Sequence, residues 1–272
     1  MYRTSLLIIF TLISCSESSN SPSTLSAYLT KTFAYVAKID DFYIAAGDRA
    51  PLETDYTSAT GKEVFEMAVR LFESLLDQDE DGSVDHPYLV NSLAEHLVFV
   101  IDHTNVTNVE EVKIESSFGN YVMTMKSDIW PYIPSFSSSD CGIDLTKLNS
   151  SMWRPETYNA LWEECFHTIT EAHNRINPNF NFNQGSILGN YLQADINDGT
   201  YDISEQNQLE EDGYDFVTAV NEYVHQIWLI NLCDTKNILN EHQLAVLEHM
   251  SAVEVPLNAN PNYNLELAEV VK

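Results

Sequence analysis

Residues 98–101 read Val-Phe-Val-Ile, and residues 121–125 read Tyr-Val-Met-Thr-Met just after Gly119-Asn120. Short apolar runs rich in β-branched and aromatic residues, bounded by turn formers, are expected to be strands. Between them Val112-Lys113-Ile114-Glu115 alternates apolar and polar, so a third strand is expected there. Outward from this small sheet the apolar spacing becomes helical. Lys62 to Leu76 places Val64, Phe65, Ala68, Val69, Phe72, Leu75 and Leu76 on one face, and Leu25 to Ile39 follows a similar spacing. Helices are also expected over Pro87 to Leu97, Pro155 to Ile176, Gly213 to Cys233 and Glu241 to Ser251. Pro155 suits a first helical position, and Asn177-Pro178 stops that helix. The expected fold class is therefore α+β and mainly helical. Trp130 to Asn149, with two prolines and a serine cluster, reads as a long surface loop.

The N-terminus points to export. Met1 to Ser14 carries Arg3 and then the apolar run Leu6 to Ile13, the outline of a signal peptide. That run is far short of the roughly 20 apolar residues that cross a bilayer as a helix. Leu12-Ile13-Ser14-Cys15 is similar to a bacterial lipobox, which implies acylation at Cys15 and a tether through residues 15–24. Membrane association would then come only through that lipid, at the cell surface; an ordinary secretory cleavage nearby is the alternative. Removing the leader leaves about 250 residues, enough for a large core. Residues 25–97 form a helical region and 98–272 a second region with the sheet and the long helices. Cys141, Cys165 and Cys233 remain, which permits one disulfide and one thiol, without fixing the pair.

Charge excludes one class of partner. The formal net charge of −28 gives a surface that repels nucleic acid and anionic headgroups, so neither is expected as a ligand. Relief of the self-repulsion by divalent cations or salt suits an extracellular setting.

Asp77-Gln78-Asp79-Glu80-Asp81-Gly82-Ser83-Val84-Asp85 spaces four carboxylates at loop positions one, three, five and nine, with glycine at six. Calcium needs six to eight hard oxygens on a tightly curled chain; Asp77, Asp79, Asp81 and Asp85 can supply carboxylates and Ser83 its carbonyl. The stretch resembles the EF-hand loop, which implies a calcium site. It departs at position twelve, where Tyr88 replaces the bidentate Glu, and Pro87 alters the exit, so a structural rather than a switching site is implied.

Glu163-Glu164-Cys165-Phe166-His167 lies within the Pro155 helix, with residues 163 and 167 on one face. It resembles the His-Glu-x-x-His helix of the zincin metallopeptidases, with Glu163 in place of the first histidine. The resemblance implies Glu163 and His167 as ligands to zinc or another divalent metal, Glu164 as general base, and a peptide or protein substrate. Gluzincins take a third ligand from a later helix, and Glu222 in Asn221-Glu222-Tyr223-Val224-His225 fits that place. On this view residues 98–272 are a zincin-like region. A carboxylate instead of an imidazole makes a harder ligand set and a less acidic bound water.

Two other readings stand beside it. Glu164 with His167 and Glu222 with His225 have the Glu-x-x-His spacing of di-iron bundles, which would need further glutamates such as Glu66, Glu73 or Glu248. A non-catalytic surface or adhesion module stiffened by calcium is the other. His86, His96, His103, His173, His242 and His249 show no ligand spacing, and no Gly-x-Ser-x-Gly or phosphate-binding loop is present.

Overall fold

The computed structural model describes residues 24–48, 61–101, 107–125, 160–201, 215–232, 236–260, 262–264 and 267–272. The leader, Cys15, the tether up to Ser23, the Trp130 to Asn149 stretch, Cys141 and Cys233 lie outside them. The architecture is α+β and mainly helical, with eight α-helices and a five-stranded mixed sheet among the described residues.

Strands β1 (Tyr35–Ile39) and β2 (Phe42–Ala46) form an antiparallel hairpin turning at Asp40-Asp41, where Asp40 takes a left-handed φ of 50°. Strands β3 (Leu97–Ile101) and β4 (Tyr121–Met125) add in parallel, and β5 (Glu269–Val270) pairs antiparallel with β1. The order is β4-β3-β2-β1-β5. β3 is buried at every position because both faces of the sheet are covered, which is why it reads as an unbroken apolar run. Val36, Ala45, Val98, Val100 and Val122 face helices α1 (Leu25–Thr32) and α4 (Thr107–Phe118) through Tyr28, Leu29, Phe33 and Ile114. Residues of the opposite parity, among them Ile44, Phe99 and Ile101, face the larger core built on α2 (Gly61–Leu76), α3 (Pro87–His96) and α5 (Ala160–Ile176).

Two expectations are corrected. Leu25 to Ile39 is not one helix: Thr24 caps α1, which ends at Thr32, and the chain then enters β1. Val112 to Glu115 is not a strand but part of α4; β3 and β4 run parallel, so the chain between them must cross over, and a helix does so. The hairpin and α6 (Ile187–Asn197) had no counterpart in the sequence reading. The sheet and the main core also take residues from both sides of position 97, so the two regions share one interior.

Helices α7 (Phe216–Leu232) and α8 (Glu241–Ala252) complete the larger core. α7 is buried nearly all round from Tyr223 to Asn231, as a core helix is. A buried carboxylate, Asp195, ties α6 to both: it accepts from Tyr223 Oη at 2.7 Å, Asn240 Nδ2 at 2.8 Å and Gln243 Nε2 at 2.7 Å.

Candidate metal centre

Helices α5 and α7 lie against each other and present two polar pairs to a shared point. Glu163 and His167 are one turn apart on α5, and Glu222 and His225 one turn apart on α7. Two contacts fix their relation: the Phe166 ring stacks on Trp228 with centroids 4.1 Å apart and planes 12° apart, and Thr170 Oγ1 donates to Asn221 Oδ1 at 3.1 Å. The result is a cluster in which one ligand atom from each of Glu163, His167, Glu222 and His225 lies within 4.8 Å of all the others.

The separations suit a shared cation. His167 Nε2 is 3.2 Å from Glu222 Oε1 and 3.7 Å from Glu163 Oε1, and His225 Nδ1 is 3.6 Å from Glu163 Oε1 and 4.0 Å from Glu222 Oε2. Donors bound at 2.0 to 2.2 Å in a tetrahedron stand roughly 3.3 to 3.6 Å apart. Charge-assisted hydrogen bonds would be nearer 2.7 to 2.9 Å. His167 is buried, yet neither ring nitrogen has a hydrogen bond of acceptable angle. The same holds for His173, so what sets His167 apart is the set of Glu163, Glu222 and His225 donors around it.

Burial, with the Glu222 charge next, pushes Glu163 up to about 8. For Glu222 burial acts in the same direction, but the imidazolium of His167 together with His225 outweighs it and holds the carboxyl well below its usual range. His167 shows the converse balance: burial opposes its charge, and Glu222 and Glu163 raise it above the ordinary value. Burial drives His225 down, and the His167 charge adds to that. Two carboxylates and two imidazoles thus crowd into one buried site, where a divalent cation could replace the protons that Glu163 and His167 hold.

Glu164 stands beside the cluster without joining it. Burial raises it to about 7, with the His167 charge opposing and Glu222 reinforcing. A cleft of about 250 Å³ reaches His167 from the edge strand β4, past Tyr121, Met123, Glu171 and Asn221. Cys165 is buried, and burial pushes its thiol well above the ordinary range, which fits packing rather than nucleophilic attack.

The acidic loop follows α2 directly. Asp77, Asp79 and Asp85 bring carboxylate oxygens within 4.8 Å of one another, while Asp81 turns to accept the Ser83 N–H at 2.9 Å. Gly82 takes a left-handed φ of 83° at the tight bend. Asp77 is fully buried and accepts from the Gly82 N–H at 2.8 Å and from the Tyr263 hydroxyl. Burial works against its ionisation, and these donors more than compensate, so its carboxyl lies below the usual range. The C-terminal segment seals the loop: Gln78 exchanges hydrogen bonds with the Asn258 backbone, Asn260 Nδ2 donates to Glu80, and buried Glu73 accepts from the Leu267 and Ala268 N–H groups. Tyr88, at the twelfth loop position, turns away to donate to Glu254.

The chain matches no family model, no curated protein and no solved structure. Glu163, His167 and Glu222, joined in the sequence by the zincin-like spacing, do meet in space. His225 joins them, and its signal was the Glu-x-x-His spacing from Glu222. Glu66 pairs with Lys62, Glu73 holds the C-terminal segment and Glu248 is exposed; none enters the cluster.

Proposed function

We propose that this chain is an exported metal-dependent hydrolase of the zincin-like kind, with Glu163, His167, Glu222 and His225 as ligands of one divalent cation. The observation that carries the reading is the meeting of those four donors between α5 and α7, with a fifth carboxylate, Glu164, beside them and not among them. A cation held there would supply Lewis acidity towards a carbonyl and its attacking water. Two imidazoles and two carboxylates make a donor set harder than that of thiolate-bearing zinc sites, favouring manganese or iron alongside zinc.

Glu164, poised near neutral pH, serves as the base that takes a proton from the attacking water and returns it to the leaving group. The substrate reaches His167 along the β4 cleft, and a peptide or protein suits the expectation from the Glu-Glu-x-x-His motif. Calcium in the Asp77 to Asp85 loop is the structural cofactor of this reading, supported by the convergence of Asp77, Asp79 and Asp85. Export and an anchor at Cys15 rest on the apolar leader and the lipobox-like tetrapeptide.

The test compares turnover of a mixed peptide library with bound metal. Glu164→Gln should retain one equivalent of transition metal and lose turnover by 10²-fold or more, on the order of a removed general base. His167→Ala should lose both. Wild-type protein that holds the metal and cleaves no peptide would leave the non-catalytic, calcium-stiffened module as the reading.

A further inference from the structure

Glu254 occupies a position that two physical preferences oppose. Helix α8 ends in a Schellman motif, with the Val255 N–H donating to Met250 O at 2.9 Å and the Glu254 N–H to Ser251 O at 3.2 Å. Glu254 is thereby left-handed, at φ 64°, where glycine is the usual occupant. Its carboxylate also meets the partial negative charge of a helix C-terminus, where a cation would be favoured. A glutamate placed against both preferences points to a role that its charge performs.

Around it lies a cleft of about 620 Å³, lined by Tyr88, Ile176, Asn177, Asn179, Val253 and Glu254 among others. Ile176 is the last residue of α5 and Val253 follows α8, so two helix C-termini converge on this space. Among the described residues no lysine, arginine or histidine lines the cleft, although His249 Nε2 lies 2.8 Å from Asn179 O and the His86 ring 5.5 Å from that of Tyr88. Arg175 nearby is engaged with Glu171 at 2.8 Å, and burial, followed by the His86 charge, holds His173 neutral with a pKa of about 4. Among the described residues Tyr88 and Ile176 are two of the few large apolar side chains left exposed, at 43% and 37%, and both border this cleft. Glu254 accepts from Tyr88 Oη at 2.6 Å and lies 3.7 Å from His86 Nδ1, yet its side chain remains 58% exposed.

We infer that this cleft binds a small organic cation: an ammonium group on an apolar or aromatic body. The charge is met by Glu254 and the two helix ends, and the Tyr88 ring adds a face suited to a cation. Ile176 and Val253 contact the body. The net charge of −28 gathers cations of every kind, whereas the apolar lips select one that carries hydrocarbon. The site stands about 14 Å along α5 from His167, apart from the metal cluster.

Benzylammonium is the probe, with benzyl alcohol as its uncharged counterpart, titrated into the full chain in 0.15 M salt and followed by amide NMR. Saturable shifts at the Asn177 and Asn179 side-chain amides are expected for benzylammonium, with benzyl alcohol at least tenfold weaker. Glu254→Gln should weaken benzylammonium at least tenfold. Glu254→Gly should abolish binding while melting no lower than wild type, since glycine removes the backbone strain. Equal affinity for the alcohol, or unchanged affinity in Glu254→Gln, would overturn the inference. A lower melting temperature for Glu254→Gly would do so too, by showing that the glutamate is retained for its contact with Tyr88.

Discussion

Acidification should unfold this protein partly through one buried histidine, and His173→Phe should remove that share. His173 is fully buried between Tyr88 and Phe180, with ring centroids 6.4 and 5.8 Å away. Burial, then the His86 charge, lowers its pKa to about 4 from 6.5, with Glu254 acting weakly the other way. As pH falls the unfolded chain takes up the proton first, so stability that is complete above pH 6.5 is lost down to about pH 4 and then no further. A difference of roughly 2.5 units corresponds to about 3 kcal/mol. Phenylalanine has similar shape and no proton to gain. Urea unfolding of both proteins at several pH values between 7 and 4 provides the assay. The wild type should lose about 3 kcal/mol more than the variant across that window. Parallel curves would show that His173 does not carry the acid sensitivity and that its site is wetter than the packing implies.

Three further outcomes are expected. Addition of manganese or zinc at a hundredfold excess over its dissociation constant should stabilise the chelator-treated protein by about 2.7 kcal/mol, and roughly 2 to 4 °C per kcal/mol by scanning fluorimetry. His225→Ala should abolish most of that gain; an unchanged shift would remove His225 from the ligand set. Asp195→Ala should cost about 3 to 5 kcal/mol in urea unfolding, because Tyr223, Asn240 and Gln243 lose one shared buried acceptor; a loss below 1 kcal/mol would count against the network. Calcium should slow hydrogen exchange at residues 267–272, since the loop, through Asp77 and Gln78, and Glu73 at the end of α2 together carry the contacts that dock the segment leading to β5. Equal exchange with and without calcium would separate the loop from the C-terminal segment.

The sequence spoke most clearly where one physical signal dominated. β3 was legible from four consecutive apolar residues, and α2 from seven apolar positions on one face. Val112 to Glu115 misled because four alternating residues fit a strand as well as one face of a short helix. Only the parallel pairing of β3 with β4 decides between them. The Leu25 stretch misled in a similar way, since Tyr35, Val36 and Ile39 continue a spacing that α1 abandons at Thr32.

At the metal cluster, Glu163 and His167 were legible because one turn of helix places them together. Glu222 required a second helix to be chosen by type and position. His225 was visible only as part of a paired motif, and its place beside His167 depends on the Phe166 and Trp228 stack, which no local pattern encodes. The contact of Tyr263 with Asp77 joins positions far apart in the chain and was not legible at all.

Anomalous diffraction at the manganese or zinc edge, from crystals soaked in that ion, addresses the metal centre most directly. A single strong peak between α5 and α7, about 2.0 to 2.2 Å from oxygen atoms of Glu163 and Glu222 and from His167 Nε2 and His225 Nδ1, is the expected result. Peaks confined to surface carboxylates, with the space among those four side chains empty, would contradict it.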